Sequence, residues 1–476
     1  MKPMSVRRPS VLIPSIAAAL LLGSTACGAE PTPELPGGDT PEVLAPVVWG
    51  GEVAKDVDPD PDVVEVWLTS EEKEIDLGGG TVLPMLTYNG LYPGPRIEAK
   101  VGDEVVVHFV NGLREPQTIH WHGLRISDQM DGSPRIQSPV EPGDSFEYRF
   151  VVPEAGTFWY HPHVRSNVAV ERGLQGALVV HDPADPHFDL ERVIVVDDLL
   201  LNADGTLASF FGSHMEGMHG RWGNVLLTNG RFSELATGEA VVGQAERWRI
   251  VNTANARTMS LSVEGADFWV VGTDGGRLPT PYRSSRITVA VGQRYDLEVH
   301  YDAVGEVRLY NHVLSSDAQG NTVELALPNL VVDVVDTARA PTEIVWAPKD
   351  ALPERSVDRS EELVFDAVQG ANGLEWRING VSHGMEPLFT FAEGETVELL
   401  LRNTLGPEHP FHLHGQFFAI AGTAQPGLKD TVLVPGMSDV RITAFMDNPG
   451  RWMAHCHILE HAELGMMSEI VVTPAP

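Results

Sequence analysis

From about residue 47 to its end, the chain alternates short apolar runs with polar punctuation. Runs such as 104–110 (EVVVHFV), 174–180 (LQGALVV) and 397–402 (VELLLR) are bounded by Gly, Pro, Asn and Asp. Their length and their β-branched and aromatic content predict strands, and no stretch keeps a long helical period. The expected fold class is all-β, made of sandwiches.

The strands recur in a fixed order. One run opens at Val101-Gly102-Asp103-Glu104 and ends in Asn111; another opens at Glu393-Gly394-Glu395-Thr396 and ends in Asn403. Gly102 precedes His120 by eighteen residues, and Gly394 precedes His412 by the same eighteen. A Pro-Gly strand follows in each copy (141–150 and 434–445), then a Gly-aromatic strand (156–163 and 450–457). A third copy lies between them at 241–265, 289–301 and 305–312, with Met259-Ser260-Leu261 and Leu309-Tyr310-Asn311 where the outer copies carry histidines. The repeat predicts three domains, 47–183, 184–340 and 341–476, meeting in Pro-bearing segments near 183–186 and 339–353.

The first 46 residues read differently. Lys2, Arg7 and Arg8 precede an apolar stretch at 11–23 and small residues at 24–28, so residues 1–27 are expected to be an export signal. Cys27 is either the lipid-modified residue of a bacterial lipoprotein, although Ser24 stands where Leu is usual, or part of a segment cleaved near Ala26 to Ala29. Arg7-Arg8 also fits twin-arginine export. Residues 28–46, rich in Pro, Gly and acid, form the expected disordered tether. The protein is therefore expected in the bacterial periplasm or cell envelope, with a lipid anchor through Cys27 as one reading. Cys456 is then the only cysteine of the mature fold, which rules out an intramolecular disulfide.

With 66 acidic against 33 basic residues, the net charge of −33 argues against a nucleic-acid partner, favours a soluble monomer, and would attract a cationic substrate.

The histidines carry the candidate chemistry. Cys456 sits between His455 and His457, with His461 five residues on and Met466 ten residues on. In an extended segment Cys456 faces one side while His455 and His457 face the other. Two His, one Cys and a weak axial Met make a mononuclear blue-copper site. His409 supplies the second His, giving His409, Cys456, His461 and Met466, with Met467 as the neighbouring axial candidate. Four His-X-His pairs occupy matching places in the outer copies: His120/His122, His161/His163, His412/His414 and His455/His457. Eight imidazoles are too many for one ion and suit three coppers.

HWHG, HPH, HPFHLHG and HCHILEHAELGMM, in this order, resemble the four copper signatures of multicopper oxidases, over residues 48–474. The resemblance implies three Greek-key β-sandwich (cupredoxin-like) domains and four coppers per chain: one type 1, one type 2 and two type 3. By the family pattern, His120 and His412 would bind the type 2 ion, and His122, His161, His163, His414, His455 and His457 the type 3 pair. It also implies an oxidoreductase that passes electrons from the type 1 site through Cys456, His455 and His457 to dioxygen, which is reduced to water.

Asp131, eleven residues after His120, resembles the family's acid beside the cluster; as a bare sequence feature it is also a turn Asp before Gly132. Many relatives carry Glu directly after the second type 1 His; here that residue is Ala462, leaving Glu460 or Glu463 as substitutes. The reducing substrate is a phenol, an aromatic amine or Cu(I). His214-Met215-Glu216-Gly217-Met218-His219 reads as either a cuprous entry site or a surface loop. With no long Met-rich insert over the type 1 edge, organic substrates are expected to reach His461. That favours a laccase-like oxidase over a cuprous oxidase or copper-resistance protein.

Overall fold

The computed structural model describes residues 49–475, apart from 211–213, 317–320, 338, 353–354, 372, 385 and 423–425. The expected export signal, Cys27 and the tether lie outside the described residues.

The fold is all-β, with three short α-helices among the described residues, Ser166–Glu171, His214–His219 and Leu459–Glu463. Its sheets form three sandwich pairs. The first joins a sheet in the order Val82–Tyr88, Val63–Asp76, Glu104–Asn111, Ser145–Val151 to one in the order Ile97–Lys100, Gly176–His181, Gly156–His161, His120–His122. The last pair has five strands in each sheet, one of them ordered Phe389–Ala392, Met467–Thr473, Gly450–Cys456, His409–Leu413, Thr431–Val434. Between them, a seven-stranded and a five-stranded sheet share the middle core around Trp248, Ile250, Leu297 and Leu330.

Alternation explains the outer sheets. In Glu104–Asn111, Val105, Val107 and Phe109 are buried, and parallel pairing sets Val66 opposite Val107 and Leu68 opposite Phe109. Burying each such side chain contributes about 1.5–3 kcal/mol. The same parallel pairing recurs between Leu190–Leu199 and Ala245–Asn252 and between Arg359–Gly370 and Thr396–Asn403.

The repeat extends to single atoms. Asn111, Asn252 and Asn403 each end the equivalent strand, and each is buried. The amide of Asn111 donates to the carbonyls of Glu115 and Val140, that of Asn252 to Arg257 and Val289, and that of Asn403 to Pro407 and Pro435. Their side-chain oxygens accept from the backbone N–H of Leu113, Ala254 and Leu405. A buried amide satisfied in this way holds the loop that follows it. In the outer units that loop leads into His120 and His409. The histidine strands then take matching registers, His120 opposite His161 and His412 opposite His455.

Candidate metal centre

The eight paired histidines are all buried and meet where the first and last units face each other. His122 stacks on His412 with ring centroids 3.8 Å apart, and His120 on His414 at 3.9 Å. Donor atoms of His122, His161 and His457 lie within 4.8 Å of one another, as do those of His163, His414 and His455. His120, His122 and His412 form a further such group. His455 and His457 therefore join different groups, where spacing alone allowed the pair to serve one site, while His161 and His163, though divided between two of these groups, also share one with His120. The cause is local: the strands end at His161 and Cys456, so His163 and His457 stand beyond the regular alternation.

Six of the eight rings have one nitrogen tied to an oxygen, which fixes that nitrogen as the protonated one. Nδ1 of His120 and His412 donate to the carbonyls of Asp131 and Asp430, each at 2.9 Å. His414 Nδ1 donates to Asp131 Oδ2 at 2.9 Å and His122 Nε2 to Asp430 Oδ1 at 3.1 Å. His161 and His455 donate to the carbonyls of Pro162 and Cys456. The opposite nitrogens are left as bare lone pairs. Nε2 of His414 and His455 face each other at 3.1 Å, although both rings carry their proton on Nδ1. His120 Nε2, His122 Nδ1, His161 Nε2 and His412 Nε2 have no partner.

Two unprotonated nitrogens 3.1 Å apart in a buried site repel unless a cation lies between them, and metal–imidazole bonds of about 2 Å span that gap. Protonation does not supply the cation. Burial, then the neighbouring rings, hold His122, His161, His163, His412, His414 and His457 well below the usual imidazole range. The donor set fits copper, the metal the family signatures imply.

These shifts make a prediction for protein stripped of metal. An unfolded imidazole takes its proton near its ordinary value of 6.5, whereas burial lowers His455 to about 4. Acid therefore favours the unfolded chain across that interval, and the thermal midpoint of the stripped protein should fall as pH drops from 6.5 to 4. A midpoint that stays flat over that range would contradict burial of neutral rings.

On the other face of the last unit, Cys456 Sγ lies 3.6 Å from His409 Nδ1 and 3.7 Å from His461 Nδ1, and the two nitrogens are 3.2 Å apart. Burial lowers His409 to about 3 and raises the Cys456 thiol, so without a cation both stay neutral. A bound cupric ion would reverse the thiol's preference. Met466 is fully buried in the same cluster as Cys456, and its carbonyl accepts the Cys456 N–H. Met467 lies opposite His455 in the adjoining strand, on the side away from Cys456.

The His461 edge is covered, contrary to the expectation of an open approach. Helix His214–His219, from the middle unit, packs against helix Leu459–Glu463, which carries His461. Trp376, with its ring 4.1 Å from that of His461, donates Nε1–H to the Gly217 carbonyl at 2.8 Å. The Met218 backbone is close enough to His461 to favour its protonated form, against burial and His409, which win. His461 Nε2 is buried without a hydrogen-bond partner. Arg221 anchors the covering segment through the carbonyls of Ala208 and Ser209 and the Glu216 carboxylate, and holds Glu171 of the first unit. The sequence marked this segment through its His and Met content but could not place it.

Glu460 does not stand in for the absent Glu at Ala462. It turns to the middle unit, accepting from the Arg221 N–H and Asn255 Nδ2, and burial raises it to about 7. Glu463 is only partly buried, with His383 and Arg165 as its nearest cationic influences. Among the described residues, the carboxylates hydrogen-bonded to the eight histidines are Asp131 and Asp430. Sequence reasoning missed Asp430, which lies eighteen residues after His412 and matches no spacing in the first copy.

Multicopper oxidase family models match residues 69–185, 191–327 and 356–476. The chain is 31% identical over 444 residues to the multicopper oxidase MmcO of Mycobacterium tuberculosis, covering 86% of each. This chain belongs to the multicopper oxidases. As a member of that family it is an oxidoreductase with copper cofactors that uses dioxygen and a reducing substrate. This multicopper oxidase is also 29% identical over 484 residues to laccase-2 of Cryptococcus neoformans, covering 81% of this chain and 80% of that one. The solved multicopper oxidase from Campylobacter jejuni, described as a metallo-oxidase, superposes with a TM-score of 0.79 at 27% identity, covering 90% of this chain and 95% of that one.

Proposed function

We propose that this multicopper oxidase couples one-electron oxidation of Cu(I) to the four-electron reduction of dioxygen to water. The observation that carries the choice of reductant is the cover over His461. Among the described residues His461 is fully buried, which disfavours direct contact with a phenol ring and suits a small cation passed by soft ligands. Helix His214–His219 presents exposed His214 and Met215, with Met218 and His219 partly buried behind them. Thioethers and imidazoles suit Cu(I), and the net charge of −33 draws cations to the surface. The second reading is a laccase acting on phenols and aromatic amines. It rests on the similarity to a protein named laccase and requires the covering helix to move.

Four coppers per chain are assigned by residue type and grouping. His409, Cys456 and His461, with Met466, would hold the type 1 ion, and His120 and His412 the type 2 ion. His122, His161 and His457 would hold one type 3 ion, and His163, His414 and His455 the other. When bound, the coppers supply the one-electron redox chemistry and the site of dioxygen reduction. The chain supplies the connection. Cys456 is covalently joined to His455 and His457, and His455 Nδ1–H also donates to the Cys456 carbonyl at 2.8 Å, so electrons entering beside His461 have a short bonded route to the cluster. Asp131 places a carboxylate beside the cluster: its Oδ2 accepts from His414 Nδ1–H at 2.9 Å, and its Oδ1 lies 3.2 Å from His120 Nδ1.

The test is paired oxygen uptake by copper-loaded protein, with Cu(I) in one cell and dimethoxyphenol in the other. Uptake with Cu(I) and little with the phenol is expected; the reverse pattern establishes the laccase reading. Replacing Met215 and Met218 together by Leu should raise KM for Cu(I) and leave the type 1 spectrum unchanged. An unchanged KM would remove the helix from cation delivery.

The protein is further proposed to act as a monomer outside the cytoplasm, held by Cys27, on the pattern of residues 1–28. Cys27→Ser should then move it from the membrane to the soluble fraction.

A further inference from the structure

The middle domain carries no His-X-His pair, yet it reaches the cluster. The turn at Gly292 abuts the histidines so closely that a Cβ there would stand 3.0 Å from His122 Cε1 and 3.1 Å from His457 Cδ2. Two residues on, Arg294 is fully buried between all three domains. Its Nη1 and Nη2 donate to Asp430 Oδ1 and Oδ2 at 2.8 and 2.6 Å. Nε donates to the Thr157 carbonyl of the first domain at 2.9 Å, and the remaining N–H groups to the carbonyls of Gly292 and Asp274. All five guanidinium donors are therefore used.

Asp430, held in this way, accepts from His122 Nε2 across the domain boundary at 3.1 Å, and its own carbonyl accepts from His412 Nδ1. Gly123, the glycine of HWHG, leaves the space: at its φ of +93°, a Cβ would stand 2.2 Å from Arg294 Nη2 and 2.8 Å from Asp430 Oδ2. The pseudo-symmetric acid Asp131 has no such clamp; among the described residues its ion-pair partners are His120 and His414.

We infer that Arg294 of the middle domain is a positioning residue for the trinuclear cluster, acting through Asp430. By clamping that carboxylate, it keeps the proton of His122 on Nε2 and turns Nδ1 toward the metal. A bidentate guanidinium suits this role because it fixes the plane of the carboxylate as well as its place.

The inference rests on the copper assignment above, and the test separates the two. Copper-loaded parent, Arg294→Met, Asp430→Asn and the double variant are compared by chelator competition, copper content, type 1 absorbance and electron paramagnetic resonance. Arg192→Met breaks another buried bidentate pair, with Glu246 in the middle-domain core, and serves as a control. Arg294→Met is expected to weaken retention of cluster copper about 10- to 100-fold, as loss of an outer partner does. It should also bring up a resonance from uncoupled type 3 copper while the blue absorbance stays. Asp430→Asn should do the same, and the double variant should add little, since the two act as a unit.

The inference is overturned if Arg294→Met keeps cluster copper like the parent, if Arg192→Met loses as much, or if the two effects simply add. Should Arg294→Met not fold, Arg294→Lys, which keeps the charge but not the fork, is expected to show the same selective loss in milder form; full retention there overturns it equally. A parent without cluster copper would instead refute the copper assignment.

Discussion

Cys456→Ser is expected to remove the blue absorbance and lower turnover by much more than the ~10- to 100-fold typical of losing an outer metal partner. A serine oxygen is a poor match for the soft thiolate that a trigonal copper site requires. The fold should survive. The new hydroxyl is buried at a position 2% exposed, and an unpartnered polar group there costs about 1–3 kcal/mol. That is well short of what a domain with so large a core needs to unfold. The eight-histidine cluster takes no side-chain contact from Cys456, so its copper should remain. Metal analysis, absorbance and oxygen uptake on one preparation check all three points. Parent-rate turnover without blue colour would show that electrons do not pass through Cys456.

Asp131→Asn is expected to lower kcat about 10- to 100-fold while leaving electron entry at the type 1 site untouched. The amide oxygen can still accept the His414 Nδ1 proton that Asp131 Oδ2 accepts at 2.9 Å, so the ring keeps its orientation. What is lost is a group able to take up and release a proton beside the cluster. Anaerobic bleaching of the blue colour by substrate should proceed at the parent rate, and recolouring on admission of oxygen should slow. Equal slowing of both phases would assign Asp131 a structural role instead. Glu460 cannot mask the effect, because both its oxygens are held by Arg221 and Asn255.

These two residues also show how far the sequence could be read. Cys456 was legible because its neighbours are fixed by covalent order. Strand alternation puts His455 on the face away from Cys456, and His457, just past the strand's end, still meets the histidine cluster. Asp131 was legible only by resemblance, since an Asp before Gly132 has an ordinary place in a turn. Asp430 left no trace, because its value to the site comes from a partner 308 positions away, His122. The cover over His461 was missed for a related reason. The composition of residues 214–219 is plain in the sequence, but that Trp376 of another domain holds Gly217 beside the imidazole is a matter of packing.

The sequence by itself determined the all-β class, the threefold repeat, the outer location of the histidine pairs and the identity of the donor atoms. Those follow from side-chain period, turn residues and ligand chemistry, all properties of short stretches. Only the tertiary structure decided which histidines of different domains share a group, which nitrogen of each ring is left bare, and which acids stand behind them. It also decided what covers the entry edge. Each of these depends on rigid bodies meeting at an interface, where a carboxylate such as Asp430 is oriented by an arginine 136 residues away. No local pattern encodes that distance, because the energy that selects it comes from fully satisfying buried charge across three domains at once.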